Sequence, residues 1–340
     1  MKLEYKDEIK DFMGLFADDI SRYIFQNRLM YNLLGEIKYL RKVILTNKIA
    51  SIFLDKLLAE KTVAVWGVGI RAEKFIEYYP EVKIECLIDS YKSGQLWHGI
   101  KVISFKEFIE EHSDAKIVIL PRFSHKEIEK EIKESGIKES RILNFAKVME
   151  QLYENQYFDL PELKVSGEGI FVDGGSFDGN DSIQFVKKWG GRVQLWEPNI
   201  EVIPQIIKKM KENNVCYELC HAGMSNNVTN AALMCKGGEA SATSLEESVD
   251  GDIPLDFLDN HMVEKVDMVK MDIEGFEYKA LLGARRVIQR DHPILAICVY
   301  HKQEDIWEIP KLIHSICSEY KFYLRHYSLF QNETVLYAII

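Results

Sequence analysis

Twice along this chain a short β-branched run ends in a glycine turn that opens directly into a helical pattern. Thr62-Val-Ala-Val-Trp66 leads into Gly67-Val-Gly69 and a helix over 71–79. Ile170-Phe-Val172 leads into Asp173-Gly174-Gly175-Ser176-Phe177-Asp178-Gly179 and a helix over 180–189. Strand and helix periods then keep alternating, through Lys83–Ile88, Lys116–Leu120 and Arg141–Phe145 in the first series and Val193–Trp196, Asp267–Met271 and Ile294–Tyr300 in the second. Alternation of this kind predicts βαβ units on mostly parallel sheets, an α/β architecture built twice. Two aromatic runs, Lys321–Tyr327 and Glu333–Ile340, close the chain and are near enough to pair antiparallel.

The 340 residues suit two or three domains at roughly 100–200 residues each. The boundaries read as a helical segment over 1–60, a small Rossmann-like α/β domain over 61–150, an irregular linker carrying Pro161, Gly167 and Gly169, and a larger α/β domain over 165–340. Met30, Leu33, Ile37, Leu40 and Ile44 recur at three- and four-residue steps, which places one apolar stripe on a helix in the first segment. Such a stripe packs on the chain's own core or forms the seam of a homo-oligomer. Both readings stay open.

Charge narrows the partners. The formal net charge is −10, of which residues 161–340 contribute −9. A protein that held a nucleic-acid backbone by counterion release would carry the opposite sign, so no nucleic-acid partner is expected. Apolar runs fall well short of the roughly 20 residues that span a bilayer. The start, Met1–Glu8, lacks the apolar core of a secretory signal. Six cysteines form no C-x-x-C pair and read as free thiols, so the expected location is cytoplasmic.

Ligand chemistry is most legible at Asp173–Gly179. Glycines there let backbone approach a ligand without a Cβ clash. Glu197, in Trp196-Glu197-Pro198-Asn199, lies 24 residues beyond Asp173 at the end of the next strand, where an acid accepts the two ribose hydroxyls of an adenosine. A pyrophosphate would meet two acids, Asp173 and Asp178. A cationic donor such as S-adenosylmethionine suits them better. The expected cofactor-binding residues are Asp173, Gly174, Gly175, Ser176, Asp178, Gly179, Glu197, Pro198 and Asn199.

These stretches, with Ile253-Pro-Leu-Asp-Phe257, Val269-Lys-Met-Asp-Ile-Glu-Gly-Phe-Glu277 and Leu281-Leu-Gly-Ala284, resemble the FkbM family of class I methyltransferases over residues 165–340. The resemblance implies a Rossmann-like sheet, parallel with an antiparallel last strand. It also implies S-adenosylmethionine-dependent O-methylation of a sugar, a polysaccharide precursor or a similar hydroxylated metabolite, free or carrier-linked.

Acceptor chemistry belongs at the carboxyl ends of the strands. Asp272 ends one and His301 the next, and both are expected to be catalytic, with His301 the base because its unperturbed pKa lies near neutrality. Glu274, Glu277, Asp305 and His326 are candidate substrate contacts. An Asp/Glu/His set also suits Mg2+, but no dedicated metal motif is present, so metal dependence stays open. Cys235–Ser244, small and polar, reads as a mobile lid or an exposed hairpin. Competing functions remain. Gly67-Val-Gly69-Ile-Arg-Ala72 with Asp89, 20 residues beyond Gly69, matches a dinucleotide pattern and points to a nucleotide-sugar oxidoreductase or epimerase. A non-catalytic adenosyl-binding module is the third reading.

Overall fold

The computed structural model describes residues 11–111, 114–154, 156–235, 243–248, 251–261 and 264–340. Two compact units emerge: Met1–Leu34 with Tyr157–Arg325 and Asn332–Ile340, and Gly35–Gln156 with His326–Gln331. The boundary at Gly35 corrects the single apolar stripe expected over 30–44. Gly35 takes a φ of +68°, a left-handed stop that separates the helix Asp19–Leu34 from Ile37–Ile44. Leu40 and Ile44 are buried, whereas Leu33 is 64% exposed.

The smaller unit carries a six-stranded sheet in the order Leu96–Trp97, Ile100–Ile103, Lys83–Ile88, Thr62–Trp66, Lys116–Ile119 and Ile142–Leu143. All neighbours run parallel except the first two. The hairpin-like pair Leu96–Ile103 and the helix Phe105–Glu111 were not foreseen from the pattern, because both elements are too short to establish a period. Trp66, Cys86, Ile88, Ile103, Phe108 and Ile119 form the core on one sheet face.

In the larger unit seven strands form one sheet: β1 (Ile170–Gly174), β2 (Arg192–Trp196), β3 (Tyr217–Cys220), β4 (Val266–Met271), β5 (Ile294–Cys298), β6 (Lys321–His326) and β7 (Thr334–Ile339). Their spatial order is β6-β7-β5-β4-β1-β2-β3. Neighbours from β5 through β3 are parallel, and β7 runs antiparallel to β5. The order reverses at β1/β4, the kind of switch point where open α/β sheets bind ligands beyond their carboxyl ends. Helices α1 (Asn180–Trp189), α2 (Ile203–Glu212), α3 (Glu277–Leu282), α4 (Arg285–Asp291) and α5 (Asp305–Ile316) follow the strands.

Burial explains the placement of α1. Phe185 stacks on Phe171 of β1 with ring centroids 4.4 Å apart, and Phe158 and Trp189 close round them. Each such ring contributes about 1.5–3 kcal/mol of transfer free energy. The outer edge of β6 is covered by Phe16, which bridges to Phe322, while Asp18 pairs with Arg325. A covered edge cannot recruit a foreign strand.

A second sheet of four short strands, in the order Gly223–Met224, Ile253–Asp256, Thr229–Cys235 and Thr243–Glu247, packs Ala231, Ile253 and Leu255 on Phe276 beyond β4. Thr229–Cys235 and Thr243–Glu247 pair antiparallel. Residues 236–242, on which the lid expectation falls, lie outside the described residues. No helix among the described residues is long and apolar enough to cross a membrane.

Candidate functional site at the strand tips

The turn after β1 is shaped by close packing. Gly175 has a φ of +73°, and a Cβ there would sit 2.0 Å from the carbonyl oxygen of Asp272. No other residue fits both the backbone angle and the space. The Gly175 and Ser176 amides donate to the Trp196 carbonyl at 3.0 and 3.1 Å, tying the turn to the tip of β2. The Ser176 hydroxyl donates to the Asp173 carbonyl at 2.8 Å and so staples the turn. Asp178 accepts from the Asn180 amide at 3.1 Å and pairs with Lys209 at 3.0 Å, which makes it a cap for α1. Gly179 starts that helix at φ +74°.

Asp173 differs from expectation. It is 0% exposed, with Oδ1 accepting from Lys270 Nζ at 3.0 Å and Oδ2 accepting from the Ser182 hydroxyl at 2.7 Å. Its carboxylate is therefore committed to Lys270 and Ser182 beneath the turn. Because Lys270 and Lys209 neutralise Asp173 and Asp178, the repulsion expected between two free acids and a pyrophosphate is not present in this geometry.

Lys270 was missed in the sequence reading. It occupies an inward position on β4, opposite Asp173 in the β1 register. Its ammonium also donates to the Gly175 carbonyl at 2.9 Å, lies 3.4 Å from Asp181 and sits over the Tyr157 ring. Burial opposes its charge, but Asp173, Asp181 and Asp272 outweigh that and hold its pKa above the ordinary lysine value. Burial raises Asp181 to about 6 against the pull of Lys270. The available signal was a lysine in an otherwise apolar strand, Val269-Lys270-Met271, which demands a buried partner.

Glu197 is fixed at the tip of β2 by two backbone amides. Its Oε2 accepts from the Phe177 amide and its Oε1 from the Asn199 amide, both at 2.8 Å. These bonds aim the carboxylate, and each oxygen keeps a further lone pair. Burial raises its pKa against those two amides. The Pro198 carbonyl lies 3.1 Å from His221 Nε2, and Asn199 Oδ1 accepts from the Glu201 amide at 3.0 Å. Phe177, 67% exposed with φ +45°, stands at the rim of the turn.

At the tips of β4 and β5 the structure brings four expected residues together. Asp272 accepts from the hydroxyls of Tyr157 and Tyr300, each at 3.0 Å. His301 Nε2 lies 3.4 Å from Asp272 Oδ1 and 3.6 Å from Glu274 Oε2, and its Nδ1 is 2.9 Å from Glu277 Oε1. Glu277 is 0% exposed and its Oε1 also accepts from the Ile273 amide at 2.9 Å. Glu274 is half-exposed at a φ of +54°. Burial opposes ionisation of Asp272, but His301, Lys270 and the two tyrosines hold it below the usual carboxylate range.

The same cluster corrects the expectation for His301. Burial disfavours a charged ring, yet Glu277, Asp272 and Glu274 outweigh it and push the pKa to about 10. A ring set among three carboxylates does not start from the unperturbed value on which its assignment as base rests.

Asp305 and His326 each make a local structural bond. Asp305 Oδ2 accepts from the Lys302 amide at 3.0 Å as the first residue of α5, and burial with nearby Glu277 raises it to about 7. His326 belongs to the smaller unit, buried with Nε2 2.9 Å from the Phe330 carbonyl oxygen. It is a packed histidine.

In the smaller unit Gly67 has a φ of +106° against Pro121. Asp89 Oδ1 accepts from the Tyr91 and Lys92 amides at 2.9 and 3.1 Å, and Arg71 donates to the Leu120 carbonyl at 3.0 Å. The Asp89 bonds are those of a local turn, and the Arg71 bond ties the helix Ile70–Tyr78 to the end of the strand Lys116–Ile119.

Residues 173–327 match the family model described as Methyltransferase FkbM domain. The match spans the strand tips described above and is to an FkbM methyltransferase domain. Residues 59–143 match a second model, C2185-like, N-terminal. Among solved structures, methyltransferase FkbM from Methylobacillus flagellatus KT is similar at 18% identity, covering 86% of this chain and 93% of that one with a TM-score of 0.51. That likeness shows the class I methyltransferase fold. Fibrillarin from Aeropyrum pernix, in complex with S-adenosyl-L-methionine, gives 14% identity over 53% of this chain and 70% of its own, TM-score 0.34. An rRNA methylase from Streptococcus thermophilus gives 14% identity over 57% and 94%, TM-score 0.36. No curated protein matches the chain.

Proposed function

We propose that the FkbM domain uses S-adenosylmethionine to methylate a hydroxyl of a sugar, a polysaccharide precursor or a similar polyol, free or on a carrier. The observation that carries this reading is one strand edge with two differently equipped halves. At β1 and β2, the Gly174–Gly175 turn and Glu197, aimed by two amides, suit the adenosine of the donor. At β4 and β5, Asp272, Glu274 and His301 suit the acceptor. Pro198 and Asn199 extend the donor side. Asp173, Ser176, Asp178 and Gly179 support the turn from beneath.

In the transfer, a lone pair of the acceptor oxygen attacks the methyl carbon in line with the carbon–sulfur bond. The C–O bond forms as the C–S bond breaks, and its electron pair stays on sulfur, so S-adenosylhomocysteine leaves uncharged. The hydroxyl proton passes to the carboxylate cluster, whose half-exposed member Glu274 hands it to solvent. Alignment supplies most of the acceleration. His301, 3.4 Å from Asp272 and 3.6 Å from Glu274, packs against both carboxylates at the acceptor end.

The net charge of −10 supports an acceptor other than nucleic acid. The free thiols of Cys86, Cys216, Cys220, Cys298 and Cys317 support a reducing, cytoplasmic setting. Calorimetry with S-adenosylmethionine, S-adenosylhomocysteine and NAD tests the donor. Binding of NAD and of neither sulfur ligand overturns the reading in favour of an oxidoreductase. Labelled methyl transfer from S-adenosylmethionine into a cell extract then identifies the acceptor class, and a labelled sugar or polyol is the expected product.

A further inference from the structure

Three side chains converge at the acceptor end, and two of them, Glu277 and His301, keep polar atoms without a hydrogen-bond partner. Asp272, Glu277 and His301 each offer an atom within 4.8 Å of the other two. Glu277 is completely buried, and its Oε2 has no hydrogen-bond partner among the described residues. Neither nitrogen of His301 is aligned for a hydrogen bond, although carboxylate oxygens stand 2.9 and 3.4 Å away. A buried carboxylate oxygen left unpaired costs several kcal/mol unless something positive meets it.

We infer that Asp272, Glu277 and His301 hold a divalent cation of the Mg2+ or Mn2+ type at the tips of β4 and β5. Two carboxylates with one imidazole suit such an ion, which keeps water in its remaining positions. Atoms 3.4 Å apart, as His301 Nε2 and Asp272 Oδ1 are, can share one ion bound at about 2.1 Å. The Tyr157 and Tyr300 hydroxyls, donating to Asp272, orient the ligand from behind. Half-exposed Glu274 lies beside His301 and leaves the ion open to solvent on that side.

The consequence for chemistry rests on the methyl-transfer reading, although the cation site itself does not. An acceptor hydroxyl replaces one bound water, coordinates the ion and becomes more acidic. Its proton passes to Glu274 and on to solvent, and its oxygen then forms the C–O bond as the C–S bond breaks.

The test uses the full chain, stripped with chelator, desalted and titrated with Mn2+ alone while electron paramagnetic resonance counts free ion. One Mn2+ per chain is expected, displaced by Mg2+, with electron spin echo modulation from a coordinated nitrogen. His301→Gln should abolish that modulation, and His301→Gln and Glu277→Gln should each weaken Mn2+ about 10–100-fold. Should either variant fail to fold, Asp272→Asn, which keeps the side chain's shape, takes its place with the same expected loss. His292→Gln, in an exposed group with Cys317 and Glu319, should change nothing. Absence of stoichiometric Mn2+, unchanged affinity in the site variants or loss in His292→Gln would overturn the assignment. Calorimetry with S-adenosylhomocysteine on the same samples separates the two claims. Homocysteine-ligand binding without Mn2+ removes the cation alone, and Mn2+ without that ligand removes the transfer reading alone.

Discussion

Replacing Lys270 by Met tests whether the buried ammonium organises the strand tips. The side chain is 2% exposed and meets Asp173 at 3.0 Å, the Gly175 carbonyl at 2.9 Å and Asp181 at 3.4 Å. Methionine keeps the length and apolar stem but leaves Asp173, itself fully buried, with only the Ser182 hydroxyl. Removing one partner of a buried pair costs about 3–5 kcal/mol, because the remaining charge loses its compensation. At 1.4 kcal/mol per decade that is roughly two to three and a half decades in local opening. Hydrogen–deuterium exchange read by mass spectrometry on peptides of β1 and β4 measures it without requiring both units to unfold together. Lys270→Met with Asp173→Asn should recover a large part of the loss, since the orphaned charge is then gone. If the single variant accelerates exchange less than about fivefold, or the double variant is worse than the sum, the ammonium is not the organising charge.

Other consequences can be measured directly. Gly175→Ala brings a Cβ to 2.0 Å from the Asp272 carbonyl at φ +73°, so S-adenosylhomocysteine binding should vanish in calorimetry; retained affinity would show that the turn relaxes freely. Glu197→Ala should weaken that ligand about 10–150-fold, the worth of hydrogen bonds to a charged group, and an unchanged affinity would place the ribose elsewhere. Asp291 accepts from the Val266 amide at 2.9 Å. Burial opposes its charge, but Arg290 and that amide win and lower its pKa. Its contribution is therefore present above the unfolded value of about 3.9 and lost as pH falls through the folded value. The stability deficit of Asp291→Asn, followed by urea unfolding, should be constant at neutral pH and shrink below about pH 4; a pH-independent deficit would refute the pairing.

Much of the candidate site could be read from spacing because the turns after parallel strands gather at one edge of the sheet. The segments Ile170–Val172 and Ile294–Tyr300 carried their period clearly, and the acids at 197 and 272 followed from the rule that ligands sit beyond the carboxyl ends. What escaped was the pairing across strands. Asp173 looked like a ligand because nothing in one strand shows that Lys270 on another lies opposite it in register. His301 looked like a base because a model-compound pKa carries no information about three carboxylates folded round the ring. The stripe over 30–44 failed for a local reason, since one glycine at φ +68° ends a helix that periodicity alone would continue.

The charges at the strand tips fall into two groups that share one member. Lys270 serves Asp173 and Asp181 on the donor side, His301 serves Glu274 and Glu277 on the acceptor side, and Asp272 is drawn by both cations. A carboxylate held by two tyrosine hydroxyls and drawn by Lys270 and His301 cannot swing freely, so in the proposed reading the boundary between donor and acceptor is fixed before either arrives. This rigidity matters for an in-line displacement, where a misplacement of about 1 Å costs on the order of 100-fold in rate. Tyr157→Phe removes one of the hydroxyls without altering either cation. It should lower kcat while leaving S-adenosylhomocysteine affinity within about twofold, because the donor half has its own supports. Equal losses in both quantities would mean that the two halves are one unit and that Asp272 does not divide them.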